Sequence, residues 1–206
     1  MNRRPLLATL GLALLSAGTA GRAAPAAVGQ PAPEFRATDT AGRTVSLSDF
    51  RGRHVVLEWV NPGCPFVQKH YGAGNMQALQ RLAAGQGVAW LAVNSTATDH
   101  GDHLPPAAMA AWMERQKAQP TATLMDADGT VGRAYGARVT PHMYLIDPAG
   151  RLLYAGAIDS KPTAHPADIA TAVPHLKQAL AEALAGQQVG TPATKAYGCT
   201  IKYAGG

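Results

Sequence analysis

Only two cysteines occur in the 206-residue chain, Cys64 and Cys199, and the spacings that announce common cofactors are missing. There is no Cys-x-x-Cys-His haem signature and no glycine-rich phosphate loop. No fixed-period repeat runs through the chain, which excludes a solenoid or a propeller. Charged residues make up 15% of it and aromatic residues 6%, and no basic stripe with interleaved aromatics can be traced. A nucleic-acid partner is therefore excluded. The formal charge of +5 does not argue otherwise, because Arg3, Arg4 and Arg22 all lie in the first 24 residues, where no acidic residue occurs. The remainder carries 15 basic against 13 acidic residues, a net of +2. Beyond residue 24 no segment approaches the roughly 20 apolar residues that a membrane-spanning helix needs.

What the N-terminus does contain is a short positive start, Asn2-Arg3-Arg4, and an uncharged apolar run from Leu6 to Ala17. Small residues follow, Gly18-Thr19-Ala20 and then Ala23-Ala24, as a signal-peptidase site requires. Residues 1–24 are expected to be a cleaved export signal, and Arg3-Arg4 is compatible with the twin-arginine route. The expected destination is the periplasm or the exterior, with no stable membrane span once the leader is removed. The remaining chain of about 180 residues fits one domain, expected over 25–188, followed by a tail over 189–206 that carries Cys199.

Apolar runs and turn residues alternate in an interpretable order. Ala37 to Leu47 reads as two short strands around the turn Asp39-Thr40-Ala41-Gly42-Arg43. His54 to Val60 reads as a buried central strand. Asn61-Pro62-Gly63 breaks it, and a helix is predicted from Cys64 to Ala83, weakened by Gly72 and Gly74. Val88–Val93 is a strand, Asn94–Pro106 a polar loop, Ala107–Ala118 a helix, Ala122–Met125 a strand and Val131–Tyr135 a short helix. Two strands, Met143–Ile146 and Leu152–Ala155, flank the turn Asp147-Pro148-Ala149-Gly150. A terminal helix is predicted over Ile169–Ala185 with Val173, Leu176, Leu180 and Leu184 on one side, before a polar, Gly-rich tail. A β-α-β unit followed by a hairpin and a closing helix makes an α/β sandwich with helices on both faces.

Cys64 carries the strongest chemical signal. It follows a buried strand and opens a helix, where unpaired backbone N–H groups and the helix dipole favour an anionic sulfur. The thiolate is the form that attacks disulfides and peroxides. Pro65 suits the first helical position, where its missing N–H costs nothing. A buried structural cysteine is the plainer alternative. Thr140-Pro141 precedes a strand, where an ordinary trans proline would pass unnoticed.

These segments resemble the redoxin and peroxiredoxin-like branch of the thioredoxin superfamily. Val56-Leu57-Glu58-Trp59-Val60-Asn61-Pro62-Gly63-Cys64-Pro65-Phe66-Val67 is similar to its active-site segment. Val139-Thr140-Pro141-His142-Met143-Tyr144-Leu145-Ile146-Asp147 is similar to its cis-proline strand, and Tyr197-Gly198-Cys199-Thr200-Ile201-Lys202-Tyr203 to the tail of one peroxiredoxin-like subgroup. The resemblance implies a thioredoxin-like three-layer α/β/α sandwich around a central mixed β-sheet, and a thiol-dependent oxidoreductase that needs no cofactor. It implies that Thr140 and a cis Pro141 face the reactive Cys64, with Asn61, Pro65, Phe66 and His142 around the substrate and Trp59 in the core or as a wall of the cleft. The implied partners are a periplasmic thiol reductant or a disulfide-bearing protein, with peroxide as an alternative small substrate. The chain also departs from the pattern. Val67 stands where thioredoxin has its second cysteine, so exchange within that motif is excluded. Asn61 replaces the Thr or Ser of typical peroxiredoxins, and Leu57 replaces their Pro. Arg133 and Arg138 are candidates for their peroxide-positioning arginine.

Cys199 has two readings. As a staple to Cys64 it would stabilise the fold by roughly 4–5 kcal/mol through closure of a long loop. As a resolving cysteine it would attack a sulfenic acid or mixed disulfide on Cys64, delivered by a mobile tail. Among the histidines, the loop Asp99-His100-Gly101-Asp102-His103 has ligand types suited to a divalent metal, although a solvated loop is the plainer reading. His70 and His142 flank the expected site and are candidates for proton carriers. A copper-binding module on the same fold, using Cys64 with a nearby histidine, is the alternative function.

Overall fold

The computed structural model describes residues 25–205, so the expected leader lies outside the described residues. Strand β1 (Arg36–Asp39) and strand β2 (Thr44–Ser46) pair antiparallel around a turn that Asp39 holds, its Oδ1 accepting from the Ala41 and Arg43 N–H groups. The run Val55–Trp59 forms β3, buried at every position, as a strand covered on both faces must be. Helix α1 (Pro65–Gly72) and helix α2 (Asn75–Gly85) follow in place of the single predicted helix. The break falls at Ala73–Gly74, where Gly74 takes φ +71°, a left-handed conformation open to glycine at little cost. Gln77 Nε2 donates to the Tyr71 carbonyl at the break and to the Gln116 carbonyl beyond it.

Next come β4 (Ala89–Asn94), α3 (Pro106–Arg115), β5 (Ala122–Met125) and α4 (Thr130–Tyr135). Strands β6 (Val139–Thr140), β7 (His142–Ile146) and β8 (Leu152–Gly156) lead to α5 (His175–Leu184), and β9 (Cys199–Thr200) lies in the tail. The predicted terminal helix is shorter than expected. Pro166–Thr171 forms a 3-10 turn, and Pro174 bars Val173 from helical geometry, so α5 starts only at His175. Val173 is consequently exposed, while Leu176, Ala179, Leu180 and Ala183 face the core.

Seven strands make one mixed sheet in the order β2-β1-β5-β4-β3-β7-β8, with β3, β4 and β5 parallel and the others antiparallel. The thioredoxin-like α/β class expected from the sequence is the observed one. Alternation along the strands divides the core in two. Val56, Val60, Trp90, Met143 and Leu145 pack with Val67, Tyr71, Met109, Trp112 and Leu180 from α1, α3 and α5. Leu57, Trp59, Leu91, Val93, Tyr144 and Ile146 pack with Val131 and Tyr135 from α4 and with Phe35 and Leu47 from the N-terminal segment.

The tail is the main correction to the expected architecture. It lies packed on the body of the domain. Tyr197 and Cys199 pack against the first core and Ile201 and Tyr203 against the second, so the tail crosses from one face of the sheet to the other. Backbone bonds fasten it on the way, from Ile201 N–H to the Arg138 carbonyl and from Ala97 N–H to the Lys202 carbonyl. Tyr203 rests on α4, where its hydroxyl donates to the Ala137 carbonyl and the Arg133 guanidinium lies 4.7 Å from its ring centroid.

A Cβ at Gly132 would overlap the Tyr203 ring. Gly132→Ala is expected to destabilise the protein by about 1–3 kcal/mol in urea unfolding. Most of that loss should vanish in a Tyr203→Ala background. Equal losses in both backgrounds would mean that Tyr203 does not sit on α4.

Candidate active site

Cys64 lies at the C-terminal end of β3 and is the N-terminal cap residue of α1, with Pro65 as the first helical residue. The turn that delivers it is built by Asn61, whose Oδ1 accepts from Gly63 N–H at 2.8 Å and whose carbonyl accepts from Cys64 N–H at 3.0 Å. Asn61 is buried and its side chain is engaged in this turn, so it shapes the loop. Cys64 is 1% exposed, and its thiol donates to the Thr140 carbonyl at 3.0 Å. The Thr140–Pro141 peptide is cis, and Thr140 is buried with its hydroxyl unpaired among the described residues.

Strand β9 runs antiparallel to β6, with Cys199 opposite Thr140 and Thr200 opposite Val139. This pairing brings the second cysteine beside the first, and both are free thiols. Partial burial, then the neighbouring Cys64 thiol, pushes the Cys199 thiol up to about 12, so it rests protonated. Gly198 lies so close to the Thr140 carbonyl that any side chain there would overlap it. Phe66, on the first turn of α1, packs edge-on against Tyr197 of the tail with ring centroids 5.7 Å apart. Pro65 is exposed at the helix start.

Comparison with known proteins points the same way. Residues 28–155 match the AhpC/TSA family. The chain belongs to the AhpC/TSA family. It is 25% identical over 155 residues to the thiol-disulfide oxidoreductase ResA of Bacillus subtilis (strain 168), covering 72% of this chain and 76% of that protein. The solved structure of a hypothetical protein from Sinorhizobium meliloti 1021 superposes with a TM-score of 0.72 at 28% identity, covering 87% of this chain and 96% of its own. The thioredoxin domain of a thiol-disulfide oxidoreductase from Bacteroides vulgatus shares the fold, with a TM-score of 0.51 at 22% identity over 70% of this chain and 96% of that one. As an AhpC/TSA family member of thioredoxin-like fold, the protein is a thiol-dependent oxidoreductase.

Several residues expected around the substrate lie elsewhere. Trp59 is fully buried and faces the second core, across the sheet from Cys64, where its Nε1 donates to Ser95 Oγ. His142 shares that face because it alternates with Met143 along β7; its ring stacks beside Tyr144, with centroids 4.6 Å apart. Burial, then the Arg138 charge, brings His142 down to about 4, so it is neutral and turned away from the thiols. Of the peroxide-positioning candidates, Arg133 grips the tail, donating to the Ala204 carbonyl, and Arg138 stands beside His142. Leu57 also faces the second core. In the 99–103 loop, His100 Nδ1 lies 3.9 Å from Asp102 Oδ2 on the surface. No group of three or more His, Cys, Asp or Glu among the described residues could hold a metal ion.

Two features escaped the sequence reading. One is Asp159, which meets Lys69, His70 and Tyr197 beneath the tail. The other is Glu58, fully buried in β3 and facing the same core as Cys64. It accepts from Tyr71 OH at 2.8 Å and from Trp90 Nε1 at 2.7 Å. A lone carboxylate inside the apolar run Val55–Val60 was the available signal. Burial outweighs these bonds and pushes Glu58 up to about 7, from 4.5. The folded chain therefore holds a proton that the unfolded chain releases between those values. The associated stability is complete below pH 4.5 and is lost as pH rises to about 7. Glu58→Gln stays neutral and is expected to gain on the order of 2–3 kcal/mol over the parent at pH 8. The gain should shrink towards pH 4.5 in urea titrations; a difference that does not vary with pH would show that Glu58 is not buried as described.

Proposed function

We propose that the protein is an exported thiol–disulfide oxidoreductase that works through a Cys64–Cys199 pair and acts on disulfides of partner proteins. The observation that carries this reading is the β6–β9 pairing, which sets Cys199 opposite Thr140 while the Thr140 carbonyl holds the Cys64 thiol. The leader composition supports export.

In the proposed cycle Cys64 attacks as the thiolate on one sulfur of a partner disulfide. The partner S–S bond breaks, a Cys64–partner mixed disulfide forms, and the other partner sulfur leaves as a thiolate that takes up a proton. Cys199 then loses its proton and attacks Cys64 sulfur, which expels the second partner thiol and leaves a Cys64–Cys199 disulfide. Two electrons and two protons pass to the partner, and an external dithiol then reduces the Cys64–Cys199 bond: one of its thiolates attacks the Cys199 sulfur and expels Cys64, and its second thiol attacks the mixed disulfide, frees Cys199 and leaves as the external disulfide. Cys64 is the natural sulfur to be displaced on reduction, because it leaves at a helix N-terminus. Peroxide as the substrate is less well supported. Asn61 turns inward, Leu57 faces the other core and Arg133 is occupied by the tail.

The test is intact mass of the purified chain, with alkylation, after one equivalent of a peptide disulfide or of hydrogen peroxide. Loss of two hydrogens with the peptide is expected, and Cys199→Ser should instead trap the peptide on Cys64. Faster closure with peroxide than with the disulfide would transfer the reading to peroxidase chemistry. A chain that closes no bond with either oxidant would sink the two-cysteine cycle.

A further inference from the structure

Between the tail and α1 lies a cluster of polar groups that the cycle above does not use. Lys69 and His70 of α1 have no exposed side-chain surface, and the Asp159 side chain is 5% exposed. Lys69 Nζ donates to the Lys161 carbonyl at 2.9 Å and stands 3.6 Å from Asp159 Oδ2. His70 Nε2 is 3.8 Å from the same oxygen, yet burial, then the balance of the Asp159 and Lys69 charges, leaves the ring at about 4. It is neutral near pH 7, so Lys69 is the counter-charge of Asp159. Asn75 Nδ2 donates to His70 Nδ1 at 2.9 Å, which puts the ring proton on Nε2, 3.3 Å from Tyr197 OH. Tyr197 OH in turn donates to Asp159 Oδ1.

All of this converges on one tail side chain. Tyr197 receives the Phe66 ring on one side, the Lys69 ammonium 5.6 Å from its ring centroid, and the Asp159 and His70 groups at its hydroxyl. Phe66, Lys69 and His70 belong to the helix that begins at Cys64. Tyr197 precedes Cys199 by two residues, separated from it by Gly198, which lies against the Thr140 carbonyl. The grip on the second thiol is thus mounted on the same rigid element as the first.

We propose that Tyr197 is the positioning residue of Cys199: its clamp by Asp159, His70, Lys69 and Phe66 holds the tail in register for ring closure and shields Cys64 from thiol reagents. The proposal rests on the two-cysteine reading. It accounts for charged groups buried in a position where Lys and Asp are seldom found unless paired. It also makes two effects of one substitution move in opposite directions. Loosening the clamp lowers the effective concentration of the Cys199 thiol at Cys64 and uncovers Cys64.

Tyr197→Phe removes the hydroxyl and keeps the ring against Phe66. The equilibrium in which oxidised glutathione closes the Cys64–Cys199 bond and becomes two molecules of glutathione gives the effective concentration. It is expected to fall roughly tenfold to hundredfold in Tyr197→Phe, the size of effect one lost hydrogen bond to a charged group gives. In a Cys199→Ser background, alkylation of Cys64 by iodoacetamide is expected to speed up several-fold. Leu47→Ala, a core truncation in the N-terminal segment, should leave both readouts near those of the parent and so separates the clamp from general loss of stability. Unchanged closure and unchanged alkylation in Tyr197→Phe would overturn the clamp while leaving the two-cysteine reading intact. A parent chain that never closes the bond would overturn both.

Discussion

Thr140 and Cys199 face each other across a ladder only two residues long, and most of the site is arranged around that contact. On one side the Thr140 carbonyl accepts from Cys64; on the other it lies so close to Gly198 that no side chain fits between them. A strand this short has little stability of its own. It persists because the chain is tied down before and after it, by Tyr197 in the first core and by Ile201 and Tyr203 in the second.

The same economy governs the charges. A buried ion pair is a poor source of net stability, since desolvation cancels most of the attraction. Lys69 and Asp159 are instead placed where they fix a geometry, joining α1, the segment after β8 and the tail at one point. Glu58 differs, having hydrogen bonds but no counter-charge among its partners, and burial therefore dominates its protonation. One core thus holds both thiols at its rim and a titrating carboxyl in its interior.

Much of the fold could be read from periodicity, because buried parallel strands and amphipathic helices leave local patterns. Val55–Trp59, Ala89–Asn94 and His142–Ile146 lie where apolar runs placed them, to within a residue or so. The misjudged boundaries fall at Gly74, where the first predicted helix breaks in two, and at Pro174, which delays the start of the last. Cys64 was legible because a strand-to-helix corner is a local feature. The orientation of Trp59 and His142 was not, since alternation assigns neighbours to opposite faces and says nothing of which face the cysteine will occupy.

The sequence by itself determined the α/β order, the corner that presents Cys64, the lack of a second cysteine in that motif and the resemblance of the tail to a known pattern. Tertiary structure alone decided that Cys199 stands beside Cys64, that the tail is clamped and that Lys69, His70, Asp159 and Tyr197 form one cluster. Those contacts join residues far apart in the chain, and their strength comes from shared burial, which no local pattern of residues encodes.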